Sequence, residues 1–163
     1  MSAPAPVRIR SASAADRPAI VDLLTASWGG TVVVAHSTVY DAADLPALLA
    51  ERDGQVIGLL TYALSTQGLE IVTLDAQVRG LGVGGALLSR AAEVARQAGA
   101  PRVWLVTTND NLDALRFYQR RGMRIVGVSP GAVDAARLIK PAIPLTGEYS
   151  IALHDELTLE LRL

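Results

Sequence analysis

Between residues 77 and 88 the chain reads Gln-Val-Arg-Gly-Leu-Gly-Val-Gly-Gly-Ala-Leu-Leu, with glycines at 80, 82, 84 and 85 and an arginine at 79. Glycine lacks a Cβ, so the backbone turns tightly there and several N–H groups can converge on one anion. The amphipathic segment that follows would add the free amides and partial positive charge of a helix start, which suits phosphate or pyrophosphate. Arg79 would add a charge-assisted contact. A plain glycine-rich connection is the competing reading, and four glycines in six positions before a well-formed helical pattern weigh against it. A Walker A loop needs Gly-Lys-Ser/Thr, whereas Gly85 is followed by Ala86-Leu87. Gly80-x-Gly82-x-x-Gly85 matches the dinucleotide fingerprint literally. In that motif, however, the first glycine follows its strand almost directly, and here residues 75–79 intervene. The opening βαβ pattern is missing, and no acidic residue ends the next strand about 20 residues on.

The elements that must hold this turn follow from hydrophobic period. Residues 7–10 alternate apolar and charged, as a half-buried strand does. Ser13 and Asp16 resemble a capping box ahead of Ile20, Leu23, Leu24 and Trp28, which lie at helical spacing, and Gly29-Gly30 ends that helix. Residues 31–47 have no clean period, because His36, Ser37, Asp41 and Asp44 interrupt it, and are expected to form a loop with short structured pieces. Asp53-Gly54 favours a type I′ turn and predicts a hairpin of residues 48–52 and 55–65, with a third strand over 69–74. Leu87, Leu88, Ala91, Ala92, Val94 and Ala95 give a helical apolar face, closed by Gly99 and Pro101. A buried strand over 102–107, a helix over 110–121, a strand over 124–128, a short helix over 133–139 and a closing strand over 157–163 complete a mixed α/β layer fold. Trp28 and Trp104 are expected in the core. No boundary or linker divides the chain, so one domain over residues 1–163 is expected, with residues 1–6 frayed.

Composition narrows the chemistry. Cysteine is absent, which excludes disulfides, thiolate metal sites and a cysteine nucleophile, and two histidines in 163 residues are too few for a His-rich metal site, so no metal is expected. The net charge is −1, and the longest basic run is Arg120-Arg121, with Arg116 and Arg124 nearby. That is no basic stripe, so no nucleic-acid partner is expected. No apolar run approaches the ~20 residues that span a bilayer. A cytoplasmic protein without a membrane partner is the default expectation.

A second segment gives the turn its meaning. Asn111-Leu-Asp-Ala114-Leu-Arg-Phe-Tyr118-Gln-Arg-Arg-Gly122-Met123 resembles the N-x-x-A-x-x-x-Y-x-x-x-G-F segment of the GNAT acetyltransferases, with Met123 for the usual Phe. Arg79-Gly80-Leu81-Gly82-Val83-Gly84 resembles the same family's R/Q-x-x-G-x-G/A motif. The resemblance spans roughly residues 7–128, and residues 129–156 depart from the common pattern, as a subfamily-specific acceptor or dimer element would.

The resemblance implies a central, mostly antiparallel, V-splayed sheet of six to seven strands flanked by about four helices. It implies acetyl-CoA as co-substrate, with pyrophosphate on Arg79, Gly80, Gly82, Val83, Gly84 and Gly85. The pantetheine arm would run along Leu74 to Ala76, and Asn111 would touch that arm or cap its helix. It implies direct attack by a primary amine of a small molecule or peptide, without a covalent enzyme intermediate. Tyr118 aligns with the tyrosine that protonates the leaving sulfur, and Glu70 stands near where relatives carry a basic glutamate. Asp75 is the other candidate base, though it lies closer to the expected cofactor path; His36, His154 and Tyr40 could reach the cleft from loops, with surface or packing roles the favoured expectation. Homodimers are frequent in the family. A binding module that holds acetyl-CoA without turnover and a nicotinamide-dinucleotide oxidoreductase are the rival readings.

Overall fold

The computed structural model describes residues 2–163. The chain runs β1 (Arg8–Ser11), α1 (Arg17–Trp28), β2 (Val32–Ala35), β3 (Thr38–Asp41), β4 (Ala47–Arg52), β5 (Gln55–Ser65), β6 (Gly68–Ala76), α2 (Val83–Gln97), β7 (Arg102–Thr108), α3 (Leu112–Arg120), β8 (Arg124–Ser129), α4 (Ala132–Ile139) and β9 (Glu156–Arg162). Seven strands form one sheet in the order β1-β4-β5-β6-β7-β9-β8, and β2-β3 form a separate two-stranded ribbon. Every pairing in the large sheet is antiparallel except β6 with β7. This is the mixed, mostly antiparallel architecture expected from the sequence.

Local chemistry explains the ends of the elements. The Ser13 backbone N–H donates to the Asp16 carboxylate at 2.7 Å, so the capping box forms, although it closes a 3-10 turn that leads into α1. Gly29 stops α1 at φ 76°. Asp53 and Gly54 both take positive φ, as a type I′ turn requires. Residues 31–47 are more ordered than their pattern predicts. His36 and Ser37, the residues that break the period, adopt φ 40° and 65° and form the two-residue turn between β2 and β3. Polarity was the wrong signal there, because the turn itself required it.

One helix layer covers each face. Leu48, Leu60, Leu69, Ile71, Val103 and Leu159 bury against α2 and α3, while Leu49 and Leu59 bury against Ile20 and Leu24 of α1. In β6 the register slips: Thr73 pairs with Thr61 but Ile71 pairs with Tyr62, leaving Val72 as an extra, bulged residue. Glu70 and Asp75 lie five positions apart, so strict alternation would aim them at opposite faces. The bulge puts both on the α1 face, where Asp75 opposes Leu59 and the Thr73 and Thr61 hydroxyls share a 2.6 Å hydrogen bond.

Arg10 ties β1 to its neighbours, meeting Asp16 and Glu51 at 2.8 Å each. Its guanidinium holds both carboxyls below their ordinary values. A depressed folded-state pKa contributes stability that is present above the unfolded value and is lost as pH falls. We predict that Arg10→Ala lowers the urea midpoint near neutral pH. The difference from wild type should shrink as pH drops below about 4, where unfolded carboxylates protonate.

Candidate active site

The β6 and β7 strands pair only through Leu69 with Val103 and Glu70 with Trp104. Beyond that junction they diverge. The opening is a cavity of about 410 Å³ walled by Val72, Leu74 and Asp75 of β6, Val106 and Thr107 of β7, and Tyr118 of α3. Ser27 and Trp28 at the end of α1 and Glu148 of the tail also reach it.

Tyr118 is 8% exposed. Burial, and secondarily the charge of Asp75, pushes its phenol above the ordinary value, so the hydroxyl stays protonated near neutral pH. Asp75 accepts a hydrogen bond from the Trp28 indole N–H at 2.8 Å. Burial raises its carboxyl, and hydrogen bonds from Trp28 and Ser27 oppose that rise. Trp28 is thus no core residue: it is 41% exposed, and its ring edge serves Asp75. Trp104, at 9%, is buried as expected.

Glu70 is brought elsewhere. It is 3% exposed and enclosed by the β2-β3 ribbon. His36 Nε2 lies 2.6 and 2.7 Å from its two oxygens, and the Tyr40 hydroxyl donates to it at 2.7 Å. The His36 ring leans on Trp104 at 5.1 Å, and its backbone N–H reaches the Glu156 carboxylate at 3.3 Å. Burial raises Glu156 and, with the Glu70 carboxylate, Tyr40. Of the two readings open for His36 and Tyr40, a reach to the cleft or a surface or packing role, the structure shows both as partners of Glu70 in the ribbon. His154 is exposed and pairs with Asp134.

At the glycine turn, Gly80 and Gly82 take φ 82° and 69°, and Gly82 is the N-cap of α2. Gly84 and Gly85 serve another purpose. A Cβ at Gly84 would lie 3.0 Å from the Phe117 ring, and one at Gly85 would lie 3.1 Å from Arg121 Nε. These glycines let α3 approach the first turn of α2. That approach gathers Arg79, Arg116, Arg120 and Arg121 around a second cavity of about 620 Å³, which also contains Asp113. The short run Arg120-Arg121, with Arg116 one turn earlier, supplies three of these cations, and the α2–α3 contact brings Arg79 to them. Val83 is buried under the turn, Leu74 lines the gap, and Ala76 is the exposed end of β6. Asn111 stands at the N-cap of α3 without capping it; its amide donates to the Thr107 hydroxyl at 3.0 Å.

A third cavity, about 930 Å³, shares Ser27, Trp28 and Glu148 with the gap and is otherwise walled largely by residues 140–153. The tail is held there by Asp110, which is buried and accepts from the Glu148 backbone N–H at 2.8 Å. Gly147 allows this, since a Cβ there would overlap the Asp110 carboxylate.

Residues 17–123 match the sequence profile of the Acetyltransferase (GNAT) family. The chain belongs to the GNAT acetyltransferases. An uncharacterized protein of Bacillus subtilis (strain 168), YxbD, is 39% identical over 133 residues, covering 81% of this chain and 84% of its own. A streptothricin acetyltransferase of Streptomyces lavendulae is 34% identical over 92 residues, 54% of this chain and 49% of that protein. Among solved structures, an IAA acetyltransferase from Bacillus cereus ATCC 14579 superposes with a TM-score of 0.74 at 22% identity, covering 96% of this chain and 99% of that one. A GNAT acetyltransferase from Elizabethkingia anophelis with acetyl-CoA bound gives 0.67 at 19%, covering 96% and 98%. The family's reaction, acetyl transfer from acetyl-CoA, is accordingly the reaction of this chain, and the nicotinamide reading of the glycine spacing falls away. Among the described residues no cluster of metal-ligating side chains occurs, and no helix is long and apolar enough to cross a membrane.

The α2–α3 contact is testable by stability. Gly84→Val should cost about 1–3 kcal/mol in urea denaturation, as overpacking does. Most of that cost should vanish in a Phe117→Leu background, where the ring that meets the new side chain is gone.

Proposed function

We propose that the protein moves the acetyl group from the thioester of acetyl-CoA directly to a primary amine, with the thioester lying in the gap between β6 and β7. The four arginines over the glycine turn suit the phosphates of the donor, and Arg79 with the amides of Gly80, Gly82, Val83, Gly84 and Gly85 would take the pyrophosphate. The arm would follow Leu74 to Ala76, the last stretch of β6, past Asn111.

The observation that carries this reading is the placement of Tyr118, a buried phenol that lines the gap and is kept protonated by its surroundings. As the C–S bond breaks, the departing thiolate needs a proton, and Tyr118 supplies it. The amine, as its bond to carbon forms, must lose a proton to a carboxylate on the α1 face, where Glu70 and Asp75 both stand. Holding donor and acceptor together contributes several kcal/mol more to lowering the barrier. The acceptor would enter through the 930 Å³ cavity, so the tail sets which amines fit.

The test is acetyl-CoA consumption against a panel of primary amines, with streptothricin included because one relative acts on it. At least one amine should be acetylated. Tyr118→Phe should then lower kcat by about 10²–10⁴ with acetyl-CoA affinity unchanged, the usual worth of a general acid. Unchanged kcat in Tyr118→Phe would remove the assigned acid.

A further inference from the structure

The two carboxylates on the α1 face differ in what they can reach. Glu70 is enclosed: His36 and Tyr40 occupy its oxygens at 2.6–2.7 Å, and it lines none of the three cavities of the site. Its oxygens are thus already engaged by the ribbon, and an amine in the gap does not meet its side chain. Asp75 lines the gap itself, as Tyr118 does, and is near enough for its charge to act on the phenol. Its position depends on the bulge at Val72, which turns it to the face where the acceptor cavity opens. Its orientation depends on the 2.8 Å bond from Trp28, and Trp28 also lines that cavity, so the indole stands where an incoming amine must pass.

We propose that Asp75 is the catalytic base, taking the proton of the attacking amine, and that Trp28 is its positioning residue. The assignment rests on the acetyl-transfer reading with Tyr118 as acid. The neutral amine attacks the thioester carbon, the N–C bond forms and the C–S bond breaks with its electron pair going to sulfur. One proton passes from nitrogen to Asp75 and one from Tyr118 to sulfur. The proton on Asp75 then returns to the Tyr118 phenolate, which restores both groups and leaves amide and free thiol. Glu70 instead orders the β2-β3 ribbon through His36 and Tyr40.

Besides Asp75, the ionisable side chains at the gap are Tyr118 and Glu148, and the attacking amine is ionisable as well. From α1 the gap receives Ser27 and Trp28, from β7 Leu105, Val106 and Thr107, from α3 Ala114 and Tyr118, with Asn111 just before that helix, and from the tail Glu148. Asp75 must be ionised to act. Burial raises its pKa, which moves the acidic limb of the rate profile up from the ordinary carboxylate position. The indole hydrogen bond favours the carboxylate, so its removal moves the limb further up.

The experiment compares pH profiles of kcat/KM for wild type, Asp75→Asn, Trp28→Phe and Glu70→Gln, using a weakly basic primary amine that stays neutral across the pH range, so that the acidic limb reports the enzyme and not the acceptor. Acetyl-CoA affinity is measured alongside by calorimetry. Asp75→Asn is expected to lose about 100-fold or more in kcat and to lose the acidic limb, with acetyl-CoA affinity within threefold of wild type. Trp28→Phe is expected to shift the limb to higher pH while keeping most of the high-pH plateau. Glu70→Gln is expected to leave the limb in place. Retention of both the limb and kcat in Asp75→Asn, or loss of the limb in Glu70→Gln alone, overturns the assignment. Should Asp75→Asn fail to bind acetyl-CoA, Trp28→Phe decides, and an unmoved limb there is contrary. A wild-type protein that acetylates no amine sinks the acetyl-transfer reading itself, a result distinct from all of these.

Discussion

The parallel contact between β6 and β7 is short, and the site depends on that shortness. Antiparallel neighbours hold β6 along one side and β7 along the other over seven or more residue pairs each, but the two strands share only two pairs with each other. A parallel pair needs a crossover, supplied here by the glycine turn and α2. Because the strands part beyond Glu70 and Trp104, the middle of the sheet contains an opening that reaches both faces. Tyr118 enters it from the layer of α2 and α3, and Asp75 is held at it by α1. The proposed acid and the proposed base thus face one opening from opposite layers without sharing a helix.

The bulge at Val72 and the glycines at 84 and 85 are the two smaller adjustments that make the opening useful. Without the extra residue, Asp75 would face α2 and be packed against apolar side chains. Without the missing Cβ atoms, α3 would sit further from α2, which would carry Tyr118 away from the gap and Arg116, Arg120 and Arg121 away from Arg79. The tail walls the neighbouring 930 Å³ cavity, anchored by the buried Asp110 against Glu148 and Gly147.

Much of this was legible in the residues. The order of strands and helices followed from period, and the two segments around Gly82 and Tyr118 pointed to the family before any geometry. What could not be read depended on register and on contacts distant in sequence. The bulge at Val72 has no local signature, so alternation gave no reason to place Glu70 and Asp75 on one face. His36 and Ser37 looked like interruptions because a two-residue turn and a loop share the same polar residues. Trp28 reads as a core residue on helical spacing, yet its partner lies 47 positions away in Asp75. The arginine cluster is likewise spread over Arg79 and three positions of the α3 region.

The most direct test of the account is a crystal structure of the protein with acetyl-CoA bound. The thioester is expected in the gap between β6 and β7, its sulfur about 3–3.5 Å from the Tyr118 hydroxyl and its carbonyl carbon open toward Asp75 and Trp28. A thioester resting outside that gap, or with its sulfur turned away from Tyr118, would contradict it.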